Sequence, residues 1–214
     1  MELVKSSIKD QVHKMLKEKI LKQEIEIGEQ LNPRDIAENH DISVMPVRDA
    51  LLRLVNRGLV INKPRVGFFV KTFKAKEIEN IMEIRKMYEH FALREHFDAI
   101  DRKKIKHIYN SMDNNDELTR NLFDEMDKKI HSTIVEASGN DYLINSYNRI
   151  KDLMILFQHL NLQRIDEAHE EHHILIESIL DNNQEKAEKV LIEHLKMVTL
   201  SIMENIKKSE SDML

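Results

Sequence analysis

The stretch NPRDIAENHDISVMPVRDALLRLVNRGLVINKPRVGFFV, residues 32–70, decides the fold of the N-terminal part of the chain. Asn32 followed by Pro33 marks a helix start, because the Asn side chain accepts from first-turn amides and Pro needs no hydrogen-bonded N–H there. Ser43 is expected to cap the next helix in the same way, and Gly58 ends it. Two apolar runs then flank a turn that contains Pro and Gly, which is typical of a β-hairpin. The predicted elements are helices over 33–39 and from Ser43 to Gly58, then strands over 59–61 and 68–70.

A further helix precedes this stretch, because apolar residues recur at helical spacing over residues 7–22. Three helices followed by a hairpin is the order of a winged helix-turn-helix, whose third helix presents its N-terminal residues to base edges in the DNA major groove. Arg48 lies one turn into that helix, and Lys63 and Arg65 lie at the hairpin tip, where they suit phosphate or minor-groove contact. We therefore predict that residues 1–73 bind DNA.

Glycine and proline are concentrated in the same part of the chain. The 214 residues include four Gly and three Pro, and six of these seven lie within residues 28–67. Their scarcity elsewhere predicts long helices. Charge divides at a similar place, because residues 1–75 carry 14 Lys and Arg against 10 Asp and Glu, whereas the remaining residues carry 19 against 28. A basic N-terminal part favours a polyanion partner for that part alone.

Several classes of protein are excluded by what the sequence lacks. There is no cysteine, so disulfides, thiolate metal sites and cysteine nucleophiles are absent. No apolar run approaches the roughly 18 residues that span a bilayer, and the N-terminus lacks the apolar region of a signal peptide. We therefore expect a cytoplasmic protein without membrane contact. No phosphate-binding glycine loop and no nucleophile–base pair is visible, so we predict that the chain is not an enzyme.

Residues 74–214 predict an all-helical bundle, and its informative feature is the polar residues on apolar helix faces. Asp127 and His131 point inward from one predicted helix, and His172 and His194 point inward from two others. A carboxylate among apolar neighbours needs a partner, and Asp at i with His at i+4 is workable metal-ligand spacing. Hydrogen bonding of each buried His to a neighbour remains the alternative. The predicted helices span 76–96, 101–111, 116–137, 140–159, 162–181 and 184–207.

Two enzyme interpretations compete for the same histidines. The run His169-Glu170-Glu171-His172-His173 matches H-E-x-x-H, the zinc-protease motif, which would use His169 and His173 instead of His172. No third-ligand signature follows it. A di-iron carboxylate bundle needs two Glu-x-x-His motifs on separate helices, and only Glu170 to His173 fits. Both interpretations leave the winged helix unexplained.

The N-terminal stretch resembles the DNA-binding domain of the GntR family of bacterial regulators. The resemblance rests on Gly28-Glu29-Gln30-Leu31, Ile36-Ala37, Ile42 to Leu51, Leu54, Gly58-Leu59-Val60, Pro64 and Gly67. It implies DNA contacts by residues of the helix-turn-helix and the wing, namely Arg34, Ser43, Arg48, Arg65 and Gly67. Gly67 would let the backbone approach a phosphate closely. The family usually has Arg where this chain has Val44, so the chain departs from the pattern at a position that often contacts DNA.

The C-terminal part resembles the FCD ligand-binding domain of the FadR-like subfamily. The resemblance rests on Asp127-Lys128-Lys129-Ile130-His131, Glu170-Glu171-His172 with Ser178-Ile179, and Ala187 with His194-Leu195. It implies a divalent metal ion, zinc first and nickel, manganese or iron as alternatives, held by Asp127, His131, His172 and His194. It also implies that Arg85 binds the carboxylate of an effector, although an ordinary pair with Glu89 four residues away is equally consistent. Asn140 is a helix cap or a residue of the effector pocket.

The resemblance as a whole implies a transcriptional regulator, expected to be a repressor. It would act as a homodimer on a double-stranded DNA operator and respond to a small organic acid bound near the metal. One alternative stays open: a DNA-binding regulator whose C-terminal domain only dimerises.

Overall fold

The computed structural model describes residues 7–113, 120–158 and 164–211. The chain divides into two compact units, Met1–Phe73 and Lys74–Leu214. The first unit contains the three predicted helices and the predicted hairpin, so the winged helix-turn-helix is confirmed. Its elements are α1 (Ile8–Leu21), β1 (Gln30–Leu31), α2 (Pro33–Asn39), α3 (Val44–Asn56), β2 (Val60–Lys63) and β3 (Gly67–Val70).

Helix α1 is fixed at its start by a capping box. The Ser7 hydroxyl accepts from the Asp10 amide, and the Asp10 carboxylate accepts from the Ser7 amide in return. Arg53 of α3 donates to Asp10 Oδ1 at 2.5 Å, which connects the two helices. The hydrogen bond from Ser7, followed by that from Arg53, lowers the pKa of Asp10 to about 2. The apolar faces of α1 and α3 form the core of this unit, with Val12, Leu16, Ile20, Val47, Ala50, Leu51 and Leu54 all buried.

The ends of α2 and α3 follow the sequence signals with one exception. Asn32 Oδ1 accepts from the Arg34 amide at 3.0 Å, as predicted for a cap. Gly58, with φ +74°, follows the end of α3 in the left-handed conformation that glycine favours. Ser43 occupies the N-cap position of α3, but its side chain makes no capping hydrogen bond. The prediction that the Ser43 side chain caps α3 by a hydrogen bond is therefore wrong, although Ser43 does occupy the N-cap position.

The sheet of the first unit has a strand that the sequence did not indicate. β1 pairs antiparallel with β3, so that the strand order is β1-β3-β2. Two residues are too short to show the alternation of apolar and polar positions by which a strand is recognised. The hairpin of β2 and β3 is present as predicted, but both strands extend into the predicted turn, with Lys63 opposite Gly67.

The second unit is the predicted all-helical bundle. In the part of it that the structure describes, six α-helices and one short 3₁₀ turn, Phe97–Ala99, are present. Its helices enclose a continuous apolar core that includes Leu93, Ile105, Ile130, Ile134, Leu175, Ile176, Ile179 and Leu191. Among the described residues, no helix is long and apolar enough to cross a membrane. The helices are α4 (Ala75–Glu95), α5 (Arg102–Asp113), α6 (Arg120–Glu136), α7 (Asp141–Gln158), α8 (Ile165–Leu180) and α9 (Gln184–Ser211).

Candidate metal centre and nucleic-acid interface

Four buried polar side chains from three helices converge inside the second unit. Asp127 and His131 come from α6, His172 from α8 and His194 from α9. One ligand atom from each lies within 4.8 Å of all the others. His131 Nε2 and His172 Nε2 are 3.2 Å apart, and Asp127 Oδ1 lies 3.4 Å from the latter and 3.5 Å from the former. The structure thus brings together the four residues that the sequence singled out.

Two carboxylates lie within hydrogen-bond distance of the Nδ1 atoms of two of these imidazoles. Glu89 Oε2 lies 2.6 Å from His131 Nδ1, and Glu171 Oε2 lies 2.8 Å from His194 Nδ1. A neutral imidazole that donates from Nδ1 keeps its lone pair on Nε2, so in their neutral forms both rings would present an acceptor to the centre of the cluster. His194 Nε2 is buried without a hydrogen-bond partner. A buried acceptor in that position is satisfied by a cation, and three imidazoles with one carboxylate are a donor set that divalent zinc accepts.

The protonation states inside the cluster suit metal binding. Burial alone raises the pKa of Asp127, but the charge and hydrogen bond of His131, aided by Arg85, outweigh it and hold that pKa well below its usual range. Burial lowers the pKa of His172 well below its ordinary value, and it also lowers the pKa of His194. Burial alone lowers the pKa of His131, but the charge of Glu89, aided by that of Asp127, outweighs it and raises that pKa. A metal ion would therefore displace a proton from His131, because a ligating imidazole is neutral.

A buried ion pair lies beside the cluster. Arg85 Nε donates to Glu89 Oε1 at 2.8 Å, and the Tyr147 hydroxyl donates to the same oxygen at 2.8 Å. Burial alone raises the pKa of Glu89, but the charges of Arg85 and His131 overcome it and lower the pKa to about 2. Glu89 is thus ionised and accepts three hydrogen bonds. The ion pair between Arg85 and Glu89, which the sequence offered as one role of Arg85, is therefore present. Contact of Arg85 with an effector stays a prediction.

A small cavity adjoins the cluster on one side. Arg85, Asp127 and His131 line it together with Lys151 and Ile155 of α7. Its volume of about 10 Å³ is on the scale of one water molecule, well below the size of an organic acid. Lys151 Nζ donates to Ser132 Oγ at 2.7 Å at this cavity. Any larger ligand therefore requires the cavity to widen.

Asn140 takes the capping role that the sequence allowed. Its Oδ1 accepts from the amides of Tyr142 and Leu143 at 3.0 and 3.2 Å, at the start of α7. Its side chain is exposed and is not among the described residues that line the cavity. Its contact with an effector stays a prediction.

The histidines of the H-E-x-x-H motif lie outside the cluster. The rings of His169 and His173 pack together with centroids 4.6 Å apart, and His173 also contacts the Tyr109 ring. Only His172 of this segment belongs to the four-residue group. Within residues 7–113, 120–158 and 164–211, no other group of three or more His, Asp or Glu residues converges in this way.

The residues that support the ligands could not be assigned that role from the sequence. Glu171 was noticed only as part of Glu170-Glu171-His172, yet it holds His194 on a different helix. Arg164 donates in turn to the other oxygen of Glu171. Tyr147 and Lys151 carry no motif of their own. Glu171 itself was visible in the sequence as part of a motif. Its partner His194 is 23 residues away on another helix, and no local spacing relates the two residues.

The first unit presents a groove between its second and third helices and the wing. Its volume is about 580 Å³, and six of the seven predicted DNA-binding residues line it. Ser43 is exposed directly before the lining residue Val44. Arg53, further along α3, instead pairs with Asp10 of α1. The six lining residues are Arg34, Val44, Arg48, Lys63, Arg65 and Gly67.

The wing tip has a backbone that only certain residues allow. The Val66 amide donates to the Lys63 carbonyl at 3.0 Å, and Arg65 has φ +63°, as at the third position of a type II turn. Gly67 has φ +133°, and a Cβ there would lie 3.3 Å from Gln30 Nε2. A side chain at position 67 would therefore strain the backbone and crowd Gln30. The turn leaves Arg65 exposed on the groove.

Both units match known protein families. Residues 8–70 match the family described as bacterial regulatory proteins, gntR family, and residues 80–197 match the FCD domain. The chain is 25% identical over 192 residues to the uncharacterized HTH-type transcriptional regulator YdhC of Bacillus subtilis, with 86% of each chain covered. It is 26% identical over 178 residues to the gluconate operon transcriptional repressor of Bacillus licheniformis, covering 79% of this chain and 70% of that protein.

Solved structures resemble both the whole chain and its second unit. A transcriptional regulator GntR from Rhodococcus sp. RHA1 has the same fold, with a TM-score of 0.80 at 18% identity over 92% of this chain and 98% of that one. The FCD domain of TM0439 is 33% identical and is known in a Zn²⁺-bound form, with a TM-score of 0.59 over 63% of this chain and 97% of that one. Its metal-free form gives a TM-score of 0.61 over 64% and 99%.

Proposed function

The chain belongs to the GntR family of bacterial transcription regulators, with a C-terminal FCD domain, and we propose that it is a repressor controlled by a metal-dependent organic-acid effector. Its domains and relatives are transcription regulators, so the prediction that it is not an enzyme is confirmed. The observation that carries the proposal is the buried group of Asp127, His131, His172 and His194, with His194 Nε2 lacking a partner.

We infer that the four residues hold a divalent metal ion. Zinc is the first candidate, because a 33% identical FCD domain is known with Zn²⁺, and nickel, manganese and iron suit the same donors. A divalent ion bound there supplies a Lewis acid to which a carboxylate oxygen can coordinate. A domain that served only for dimerisation would leave the buried His194 Nε2 unsatisfied, which favours the metal-binding alternative.

The charges around the cluster favour an anionic effector. Asp127 and Glu89 are ionised and Arg85 is positive, so the addition of a divalent cation to neutral imidazoles leaves one positive charge in excess. A buried charge requires compensation, and a carboxylate supplies it. Arg85 and Lys151 line the cavity through which such a ligand would reach the metal. A small carboxylate metabolite is therefore the effector class.

Effector binding would be coupled to a change of conformation. The cavity of about 10 Å³ is on the scale of a single water molecule, so an organic acid binds only a state in which the cavity is wider. Helix α7 forms the wall that carries Lys151 and Ile155, and its displacement would enlarge the space. Because the effector would bind the wider state preferentially, its binding would shift the affinity of the protein for DNA. The coupling free energy between effector binding and DNA binding would be about 1–3 kcal/mol.

The DNA-binding part of the proposal rests on the groove of the first unit. Arg34, Arg48 and Arg65 line it, and none of the three guanidinium groups is buried. A homodimer would place two such units on the half-sites of a pseudo-palindromic double-stranded operator. Arg48→Ala should weaken operator binding at least tenfold, whereas Arg94→Ala, which removes an equivalent charge from α4, should not. Equal binding by wild type and Arg48→Ala would exclude α3 as the recognition helix.

Metal analysis tests the site directly. Wild-type protein should contain about one divalent ion per chain, and His194→Ala and Asp127→Ala should each lose it. His173→Ala is the matched control, because it removes a neighbouring histidine that lies outside the group. Full metal content in both His194→Ala and Asp127→Ala would overturn the proposed site. DNA binding measured with and without added metal and carboxylates then shows whether the site controls the operator.

A further inference from the structure

Two apolar side chains stand at the start of helix α3, beside the arginines of the groove of the first unit. Val44 lines the groove beside Arg34 and Arg48. Met45 follows it outside the lining of the groove, is 66% exposed and lies one helical turn before Arg48. Neither belongs to the buried face of α3, which is formed by Val47, Ala50, Leu51 and Leu54. Val44 is half-buried and Met45 is exposed, so neither is a core residue of the unit.

The surroundings of this apolar pair indicate what covers it. The groove carries the positive charges of Arg34, Arg48 and Arg65, so its occupant is a polyanion. An occupant that covers Val44 and Met45 must also present apolar groups. Double-stranded DNA has both properties in its major groove, because thymine exposes a 5-methyl group there between two phosphate backbones.

The two side chains cannot read the other base edges. Guanine, adenine and cytosine present hydrogen-bond donors and acceptors, to which Arg, Asn, Gln and acidic side chains respond. Val44 has no polar atom, and the Met45 thioether is a weak acceptor only. Contact with a thymine methyl is the readout left to them. Arg48, four residues on, can still bind guanine through both acceptors of its edge.

We propose that Val44 and Met45 recognise thymine 5-methyl groups in the operator, next to the base pair that Arg48 reads. The inference rests on the DNA binding proposed above and names the base chemistry that it recognises. Four helical residues rise about 6 Å, and base pairs stack about 3.4 Å apart. The thymines therefore lie within about two base pairs of the base bound by Arg48.

The experiment removes single methyl groups from the DNA. The full chain is used to select binding sites from a random duplex pool, and each thymine of the selected site is then replaced by deoxyuridine, which leaves pairing and charge unchanged. Burial of one such carbon contributes about 0.8 kcal/mol, which corresponds to about a fourfold change in affinity. One or two thymines per half-site should show this loss. Thymines elsewhere in the same site are the internal control and should show none.

Variants assign the effect to the two residues. In Val44→Ala and Met45→Ala the deoxyuridine penalty should fall at the thymine each residue contacts and persist at the other. Val44→Arg should change the selected base from thymine to guanine.

The outcomes separate this inference from the proposed function. Selection of a defined site with no deoxyuridine penalty, or with the same penalty in both alanine variants, overturns thymine recognition and leaves DNA binding intact. Selection of guanine or cytosine at the base pairs that face the start of α3 would likewise overturn thymine recognition and leave DNA binding intact. Failure of the chain to select any duplex overturns both, and a protein captured on Val44 and Met45 in its place would identify the surface as a protein-binding one.

Discussion

Removal of the Glu171 carboxylate should weaken metal binding without displacing a ligand. The Glu171 carboxylate accepts hydrogen bonds from Arg164 and from one ligand, with its Oε2 2.8 Å from His194 Nδ1. That hydrogen bond fixes the ring orientation and keeps the Nε2 lone pair directed at the cluster. Loss of such an outer partner typically weakens metal affinity about 10- to 100-fold. Glu171→Ala should fall in that range, and Glu171→Gln should lose less, because its amide oxygen still accepts from the imidazole.

The expected effect on stability follows from the affinity. At a metal concentration 100 times Kd, binding stabilises the folded chain by about 2.7 kcal/mol. A tenfold weaker Kd at the same metal concentration removes about 1.4 kcal/mol of that stabilisation. The metal-dependent rise in the melting temperature of Glu171→Ala should therefore be about half that of wild type or less. Metal-free Glu171→Ala should still unfold cooperatively, which separates loss of affinity from loss of fold.

The assay is competition for zinc with a chromophoric chelator, supported by thermal unfolding with and without metal. Glu177→Ala is the matched control on the same helix, because Glu177 accepts from the Tyr109 hydroxyl and does not contact a ligand. Arg164→Met removes the other partner of Glu171 while leaving its bond to His194, so it separates the two interactions. Wild-type zinc affinity in Glu171→Ala, in a protein whose His194→Ala variant loses the metal, would refute the orienting role of Glu171.

Three further perturbations test the fold around the two sites. Asp10→Asn should lower the melting temperature near neutral pH. Because the pKa of Asp10 is about 2 in the folded state against an ordinary 3.8, the difference in melting temperature between variant and wild type should be complete above pH 4 and vanish as the pH falls through 2. A difference that stayed constant down to pH 1.5 would contradict this. Gly67→Ala should destabilise the wing by about 1–3 kcal/mol, because position 67 has a positive φ, and it should weaken DNA binding. The control is Gly139→Ala, which also has a positive φ (+57°) but no atom within 4 Å of an added Cβ. This control should leave DNA affinity unchanged. Ile134→Ala, at a fully buried position of α6, should lower the free energy of unfolding by about 2–5 kcal/mol in a denaturant titration; a loss below 1 kcal/mol would mean that α6 is not packed as described.

The features that the sequence predicted correctly depend on short spacings. Asp127 and His131 are four residues apart on one helix, so a single periodicity places both on the inward face. The helix starts at Asn32 and the stop at Gly58 depend on chemistry within three residues of the helix end. Such local rules survive folding because the rest of the chain does not alter the geometry they describe.

The features that the sequence missed depend on distant contacts. The bond from Glu89 to His131 spans 42 residues, and that from Glu171 to His194 joins two helices. No periodicity relates such pairs, because the register of one helix against another is set by packing of the whole bundle. The Ser43 cap failed for a different reason: the residue occupies the predicted position, but its hydroxyl is not turned to the first-turn amides. A capping sequence therefore predicts where a helix begins better than which bond begins it.

The position of the cluster within the bundle explains why a ligand could control it. Ile130 beside His131, Leu175 beside His172 and Leu191 beside His194 are all fully buried, so the polar residues occupy places that apolar side chains would otherwise fill. Well-packed apolar replacements of buried charged groups are often neutral or more stabilising. By this comparison the polar set gives the metal-free core no advantage in stability, and bound ligands that compensated its charges would stabilise it. Because α4, α6, α8 and α9 each contribute a charged or ligating group, that compensation would act on the packing of four helices at once. A binding event confined to a few ångströms can in this way alter the bundle as a whole.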